Sequence, residues 1–239
     1  MTKSCRFFSA AALALLLGVL GDASAQIDKK PYTDWSEKEA EKLLEKSGWA
    51  QTQIFTDTTG TFSTGPGRTV NSSQSRSAGI DQVNFHIRFL SAKPVRQAIS
   101  RIMEIRQKGE LSDQMAAQLK SFATSDFPDF VVVTVTVDGS QAQGRLQEAN
   151  ALLNRLTTVD LKNNTYLIVK DQRVFLEEYQ PPRRDGLGAR FIFRRTIDGK
   201  PVIEAESDEV KFVSELSSAY KLNMRYKVKE MIYQGKLEY

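Results

Sequence analysis

The only histidine of the chain, His86, limits which hydrolytic mechanisms the sequence allows, because a Ser-His-Asp triad needs a histidine as its base. Apolar residues alternate with polar ones over residues 83–89, a pattern that predicts a strand with His86 on its more polar face. The chain has no G-x-S-x-G motif, the turn that carries the nucleophile in many hydrolases. We expect His86 to be a polar residue of a sheet surface and keep it as a candidate catalytic base.

Two acidic residues, Glu204 and Glu206, have a spacing that suits paired-carboxylate chemistry. Side chains two residues apart on a strand share a face and lie about 6.6–6.8 Å apart along it. This separation overlaps the range found in inverting glycoside hydrolases. Asp208 and Glu209 follow directly, and such an acidic run is also typical of a solvated turn. Both interpretations stay open.

Residues 183–200 form a strongly basic stretch, with six basic and two acidic side chains. Arginines interleaved with aromatic rings can bind nucleic acid or anionic glycans through phosphate contacts and stacking. The acidic residues at 204–209 could instead neutralise this stretch across a hairpin. The loop 180–188, with two prolines and two glycines, is a second candidate for recognition. The candidate binding residues are Arg183, Arg184, Arg190, Phe191, Phe193, Arg194 and Arg195.

The residue types that hold metals and cofactors are scarce. One cysteine, Cys5, and one histidine would leave only carboxylates as further zinc ligands. The G-L-G sequence at 186–188 lacks the following helix that a phosphate-binding loop needs, since the pattern after it predicts a strand. We therefore expect neither a metal nor a cofactor.

Residues 1–25 have the pattern of a secretory signal peptide, which also contains Cys5. Lys3 and Arg6 precede an apolar run over residues 7–20, and Ala23-Ser24-Ala25 is a small-x-small cleavage site before Gln26. A fourteen-residue helix spans about 21 Å, less than the roughly 30 Å of a hydrocarbon core. The sequence predicts a periplasmic or secreted protein whose mature chain has no transmembrane segment.

Changes in composition divide the remaining chain. Residues 26–56 are predicted to be an N-terminal helical segment, with a helix over 32–50 that begins at a capping box. The box pairs either Asp34 with Glu37 or Ser36 with Glu39, and Gly48 is the expected left-handed residue after the helix. Residues 57–80 are rich in Ser, Thr and Gly and are predicted to be a flexible linker. Residues 81–239 are predicted to be a single domain.

The pattern within 81–239 predicts an α+β fold, a mainly antiparallel sheet covered on one face by about three helices. Helices are expected over 94–108, after Ser112, and over 141–156. Strands are expected at 83–89 and 130–137, where parallel pairing through the helical crossover is one possibility. Hairpins are expected at Asp171-Gln172 and Asp198-Gly199, and the last two strands are expected at 210–216 and 222–232.

Two segments together carry a resemblance to a group of proteins. W-S-E-K-E-A-E-K-L-L-E-K-S-G-W-A (35–50) and F-H-I-R-F-L-S-A-K-P-V-R-Q-A (85–98) resemble segments of secreted bacterial proteins of uncharacterised function, as does the ending M-I-Y-Q-G-K-L-E-Y (231–239). The resemblance covers about 40 residues. It implies an exported bacterial protein, and it transfers no catalytic or binding residue.

These features favour an exported binding or interaction module of the bacterial envelope over an enzyme. Its composition is that of a globular protein, with 41% hydrophobic and 26% charged residues, and its net charge of +4 does not by itself indicate a polyanion. The expected partner is a protein or an acidic envelope component, and no nucleic acid is expected. The alternatives are an extracytoplasmic hydrolase that uses carboxylates or His86, and a structural or assembly component.

Overall fold

The computed structural model describes residues 30–56, 82–107, 111–140 and 143–239. The predicted signal peptide and the predicted linker lie outside these residues. The described residues form five α-helices, α1 Glu37–Glu45, α2 Lys93–Arg106, α3 Asp113–Thr124, α4 Gln143–Arg155 and α5 Thr158–Leu161. They also form thirteen strands, β1 Ala50–Thr56, β2 Gln82–Phe89, β3 Phe130–Ser140, β4 Thr165–Val169, β5 Gln172–Phe175, β6 Glu178–Gln180, β7 Ala189–Arg194, β8 Thr196–Ile197, β9 Lys200–Pro201, β10 Glu209–Glu215, β11 Lys221–Lys227, β12 Ile232–Tyr233 and β13 Lys236–Leu237.

The strands form a five-stranded sheet in the order β1-β2-β3-β7-β6 and a four-stranded sheet in the order β11-β10-β4-β5. Two short ribbons, β8-β9 and β12-β13, complete the fold. All strand pairs between described residues are antiparallel. The predicted α+β class with a mainly antiparallel sheet is therefore confirmed. Among the described helices, none has the length and hydropathy that crossing a membrane requires.

The parallel pairing considered for the strands at 83–89 and 130–137 is wrong. Phe89 at the end of β2 lies opposite Val133 near the start of β3, and Gln82 lies opposite Ser140. Helices α2 and α3 connect the two strands. This connection leaves β2 and enters β3 at the same end of the sheet, whereas two parallel strands need a crossover to the opposite end.

The two large sheets pack face to face because one side of β2 is entirely apolar. Phe85, Ile87 and Phe89 are fully buried on this side, the inner face of the five-stranded sheet. The ring of Phe89 lies edge-on to Tyr226 of the four-stranded sheet at 4.9 Å. The opposite side carries Asn84, His86 and Arg88 and is called the polar face below. Strand alternation thus separates the core from the candidate chemistry.

The N-terminal segment packs on the same core. Helix α1 begins at the capping box of Ser36 and Glu39, not at the alternative pair with Asp34. The helix predicted over 32–50 is too long, since α1 ends at Glu45 and residues 50–56 form β1 beside β2. Trp35 and Trp49 are buried, and Trp49 Nε1 donates a hydrogen bond to the main-chain oxygen of Glu238 at 2.7 Å.

Gly48 has a different role from the one that the sequence suggested. Its φ is not positive, so it does not act as a left-handed residue at the end of a helix. A Cβ atom at this position would lie 2.0 Å from the main-chain oxygen of Glu230. Glycine is needed here because two distant segments approach each other closely.

The predicted hairpin turns are present, with one shifted and the later strands shorter than expected. Asp198 and Gly199 have φ of 50° and 75°, as a type I′ turn requires, and they join β8 to β9. The turn between β4 and β5 is at Lys170 and Asp171, one residue earlier than predicted. The last predicted strand, 222–232, ends at Lys227, where a 3₁₀ helix begins.

Candidate functional site

A cleft of 410 Å³ lies between α1, α2 and the polar face of the five-stranded sheet. Arg88 of β2 and Thr134 of β3 line it from the sheet, directly opposite each other in the strand register. Thr134 is only 2% exposed, so this pair forms the floor. Gly186 and Leu187, from the loop before β7, complete the wall.

Two hydrogen bonds fix the guanidinium of Arg88 at the floor of the cleft. Its Nε donates to the main-chain oxygen of Leu44 at 2.7 Å, and its Nη1 donates to Thr136 Oγ1 at 2.9 Å. Burial lowers the pKa of Arg88, and the nearby charges of Asp138 and Glu45 oppose this shift. Among the described residues, no carboxylate forms an ion pair with Arg88, and its Nη2 has no hydrogen-bond partner. The cleft therefore has a positive group at its floor with free donors.

The walls of the cleft are largely apolar, and its rim is charged. Ile99, Ile102 and Met103 face it from α2. The rim carries Glu45 and the ion pair between Arg106 and Glu41, in which Arg106 Nη2 lies 2.7 Å from the carboxylate. The Arg106 side chain is 60% exposed, so it belongs to the mouth and not to the floor.

The loop 180–188, which the sequence marked as a candidate for recognition, supplies one wall of the cleft. Asp185 accepts hydrogen bonds from Leu187 N, at 3.0 Å, and from Arg190 Nη2. Arg190 lies directly opposite Thr134 on the neighbouring strand. Its Nη1 is buried and has no partner among the described residues. Gly188 has φ of 81°, and a Cβ there would lie 2.3 Å from the main-chain oxygen of Val135.

His86 takes part in a hydrogen-bonded chain across three strands of the polar face. Its Nδ1 lies 2.9 Å from Thr52 Oγ1, and its Nε2 lies 2.7 Å from Asp138 Oδ2. Asn84 Nδ2 donates to the other oxygen of Asp138 at 2.8 Å. The His86 side chain is 15% exposed, so it is more buried than the sequence suggested.

The charge state of Asp138 determines which nitrogen of the His86 imidazole carries the proton. Burial raises the pKa of Asp138, but hydrogen bonds from Asn84 and His86 outweigh it and leave the pKa below its usual value. An ionised carboxylate only accepts hydrogen bonds, so Nε2 of His86 is the donor to Asp138. In the neutral imidazole Nδ1 then accepts a hydrogen bond from the Thr52 hydroxyl. His86 lies two residues before Arg88 on the same face of β2 but does not line the cleft.

Glu204 and Glu206, the two glutamates considered as a carboxylate pair, take no part in the hydrogen bonds of Thr52, His86 and Asp138. Glu204 forms an ion pair with Lys170 at 2.6 Å, and this hydrogen bond holds its pKa below the usual value. Strand β9 ends at Pro201, and residues 205–206 form a turn. The strand spacing that suggested a catalytic pair therefore does not apply to Glu204 and Glu206.

The basic candidates do not form one surface. Phe191 and Phe193 are fully buried on the inner face, with Phe191 edge-on to Phe212 at 5.3 Å. Neither ring is accessible for stacking on a ligand.

The arginines of the same stretch are largely paired, but their partners are not the acids at 204–209. Arg194 binds Glu177 through both Nε and Nη2, and Arg195 stacks on the Tyr239 ring at 3.9 Å. Arg183 and Arg184 are exposed, and neither has a partner within the described part of the chain.

The sequence did not predict the cleft, although it indicated the loop 180–188, which forms one of its walls. Arg88 was visible as a polar residue of β2, but the strand pattern gave no sign that α1 and α2 cover it. Within the described ranges, no group of three or more His, Cys, Asp or Glu side chains is placed to hold a metal ion. Comparisons with protein-family models, curated proteins and solved structures found no match to this chain.

Proposed function

We propose that the protein is an exported binding module that takes a small ligand in the cleft. The observation that carries this proposal is Arg88, a partly buried cation that forms no ion pair with a described carboxylate and is held by Leu44 and Thr136 at the floor of a largely apolar cavity. Ligand sites are typically clefts of about 300–1,000 Å³ with apolar walls and a few fixed polar groups. The cleft has the volume and the lining of such a site.

A plug variant tests the proposal. Met103→Trp places a larger side chain in the wall of the cleft, and Met115→Trp is the matched control on α3, where Met115 is 41% exposed and outside the cleft. The mature protein is equilibrated with a small-molecule extract of growth medium and analysed by native mass spectrometry. Wild type and Met115→Trp should retain the same bound masses, which Met103→Trp should lose. Equal retention by both variants, or no bound mass in wild type, would refute the proposal.

Export is tested separately from binding. If residues 1–25 are a signal peptide, the chain expressed in a bacterium with its full sequence should be recovered outside the cytoplasm with Gln26 as its first residue. Intact mass and subcellular fractionation measure this. A cytoplasmic product that keeps residues 1–25 would contradict export. The binding proposal would still be tested by Met103→Trp.

The protein could also bind an acidic envelope component, and two of the candidate residues remain suited to this role. Arg183 and Arg184 are exposed in the loop 180–188 and are not neutralised by a described residue. We expect the double substitution to Glu to abolish retention on an anionic glycan column at low salt. The same change at Arg194 and Arg195, which are already paired, is the control and should have a smaller effect.

A second candidate function, hydrolysis of an acyl bond, is favoured by the chain of Thr52, His86 and Asp138. Thr52 Oγ1 would attack the carbonyl carbon while its proton moves to His86 Nδ1, and Asp138 would stabilise the imidazolium. His86 would then give that proton to the leaving group, and water would release the acyl group from Thr52. The hydrogen bonds at 2.9 Å and 2.7 Å place both transfers within reach.

A panel of nitrophenyl esters tests this second candidate. Thr52→Val and His86→Gln should abolish turnover, while Thr56→Val should leave it unchanged, because Thr56 lies on the same strand and is exposed. Thr52→Val keeps the shape of the side chain and removes only the hydroxyl. Turnover that is indifferent to Thr52→Val would exclude the mechanism, and so would a wild-type protein without activity on the panel.

A further inference from the structure

We infer that the ligand of the cleft is a monocarboxylate with an apolar body. This inference rests on the proposed binding function and specifies the ligand chemistry. Arg88 supplies the reason for the charge: two of its five N–H groups are used, by Leu44 and Thr136, and the other three have no acceptor among the described residues. A planar guanidinium fork binds a carboxylate or a phosphate through two parallel hydrogen bonds, and the carboxylate is the one that brings a single negative charge.

The partial burial of Arg88 favours an anion at the floor of the cleft. Asp138 and Glu45 act on the guanidinium without forming an ion pair with it, and a bound carboxylate would supply a directly hydrogen-bonded charge and the missing acceptors. Thr134, directly opposite on β3, makes only a 3.5 Å contact through its hydroxyl, to the Arg88 main-chain oxygen. Its hydroxyl can therefore donate to the second carboxylate oxygen.

The remaining lining specifies the rest of the ligand. Ile99, Ile102, Met103 and Leu187 offer apolar contact between the floor and the mouth. At the mouth, Arg106 is already neutralised by Glu37 and Glu41, while Glu45 has no ion-pair partner among the described residues. A second negative charge on the ligand would thus meet the carboxylate of Glu45, which forms no ion pair with another described residue. One anionic group at the floor and an uncharged body above it are what the cleft accommodates.

Methyl NMR on the full mature protein with labelled methionines tests this ligand class. Met103 reports on the cleft, and Met115 is an internal control outside it. The probes are octanoate, octanol, octylamine and suberate, which share a chain length and differ in charge. Octanoate should shift the Met103 signal and leave Met115 unchanged. Octanol and octylamine should bind at least about tenfold more weakly, because they lose the charged hydrogen bond to Arg88. Suberate should also bind more weakly than octanoate, because its second carboxylate would meet Glu45.

Two variants link the selectivity to Arg88. Arg88→Met should weaken octanoate binding about tenfold or more and leave octanol unchanged, whereas Arg225→Met, which removes an exposed cation of β11 outside the cleft, should change neither. The comparison of probes on wild-type protein stands whether or not Arg88→Met folds. If octanol or octylamine shifts Met103 at the same concentration as octanoate, the carboxylate inference is overturned but the cleft remains a binding site. If no probe shifts Met103, the inference is overturned and the plug variant alone decides the proposed function.

Discussion

The side chain of Gln53 pairs with the main chain of Asn223 as if it were part of a neighbouring strand. Asn223 N donates to Gln53 Oε1, and Gln53 Nε2 donates to the main-chain oxygen of Lys221, both at 2.8 Å. Gln51 Nε2 repeats the contact with the oxygen of Arg225 at 2.5 Å. Strand β11 is an edge of the four-stranded sheet. Two glutamines of β1 therefore satisfy backbone groups that an open edge would leave unpaired.

This contact predicts a stability effect at a polar residue. Gln53→Leu keeps much of the side-chain volume but removes two hydrogen bonds to the edge of β11, so we expect it to lower the free energy of unfolding by about 1–3 kcal/mol. Chemical denaturation measures the change. Gln172→Leu, an exposed glutamine on the edge strand β5, is the control and should stay within about 0.5 kcal/mol of wild type. Equal effects at the two sites would show that the edge contact contributes no stability.

Two glycines of the loop before β7 give a matched pair. Gly186 and Gly188 both have positive φ, 74° and 81°. A Cβ atom at Gly186 would meet open space, whereas one at Gly188 would lie 2.3 Å from Val135 O and 2.6 Å from the Thr136 methyl group. Gly186→Ala should cost about 1–2 kcal/mol, the cost of the left-handed backbone alone. Gly188→Ala should cost more, because β3 and the loop must also separate. Thermal unfolding compares them, and similar costs would contradict the close approach.

Arg96 predicts a large loss of stability from one buried residue of α2. It is 1% exposed and donates to the main-chain oxygens of Leu90, Ser91, Phe122 and Ser125, which joins the start of α2 to the end of α3. Arg96→Met leaves these oxygens without a donor and should lower the free energy of unfolding by about 3 kcal/mol or more. Arg106→Met, at an exposed residue of the same helix, should have a much smaller effect, because solvent screens its ion pairs. A small effect at Arg96 would mean that water replaces the guanidinium.

The capping box of α1 predicts a dependence on pH. Hydrogen bonds from Lys30 and Ser36 lower the pKa of Glu39 to about 2. Because the folded pKa lies below the unfolded value near 4.5, Glu39 stabilises the fold above that value, and this contribution is lost as the pH falls from about 4.5 towards 2. Wild type should therefore unfold at a higher temperature than Glu39→Gln at pH 6, and the difference should shrink by pH 2.5. A difference that does not depend on pH would assign the effect to packing. The size of the effect is limited by the partial exposure of the carboxyl.

Local patterns predicted much of this fold. The alternation at 83–89 gave β2 and its two faces, Ser112 began α3 as expected, and Asp198-Gly199 formed the expected turn. Strand β1 was missed because its inward positions are Gln51, Gln53 and Phe55, and two glutamines hide the apolar alternation. Their role depends on β11, more than 160 residues away, and no local window contains it.

The candidate site was less predictable than the fold for the same reason. Arg88, Ile102 and Leu187 come from three separate segments, and each has an ordinary local pattern. The composition of the basic stretch suggested a binding surface. Its two phenylalanines, Phe191 and Phe193, are instead in the core, because strand alternation places them on the face of β7 opposite to that of the arginines. The contact between His86 and Asp138 depends on an antiparallel register that the sequence did not reveal.

The hydrogen bond from Trp49 to Glu238 spans 189 residues, and the glutamines of β1 reach β11 over a similar distance. Contacts that join the beginning and the end of a chain make folding slow, because a large loop must close before they form. Strand β1 can pair with β2 early, but its contacts with β11 and the acceptor of the Trp49 indole become available only when almost the whole polypeptide has been made. For a chain exported as we propose, these contacts would form only after residues 221–238 had also crossed the membrane.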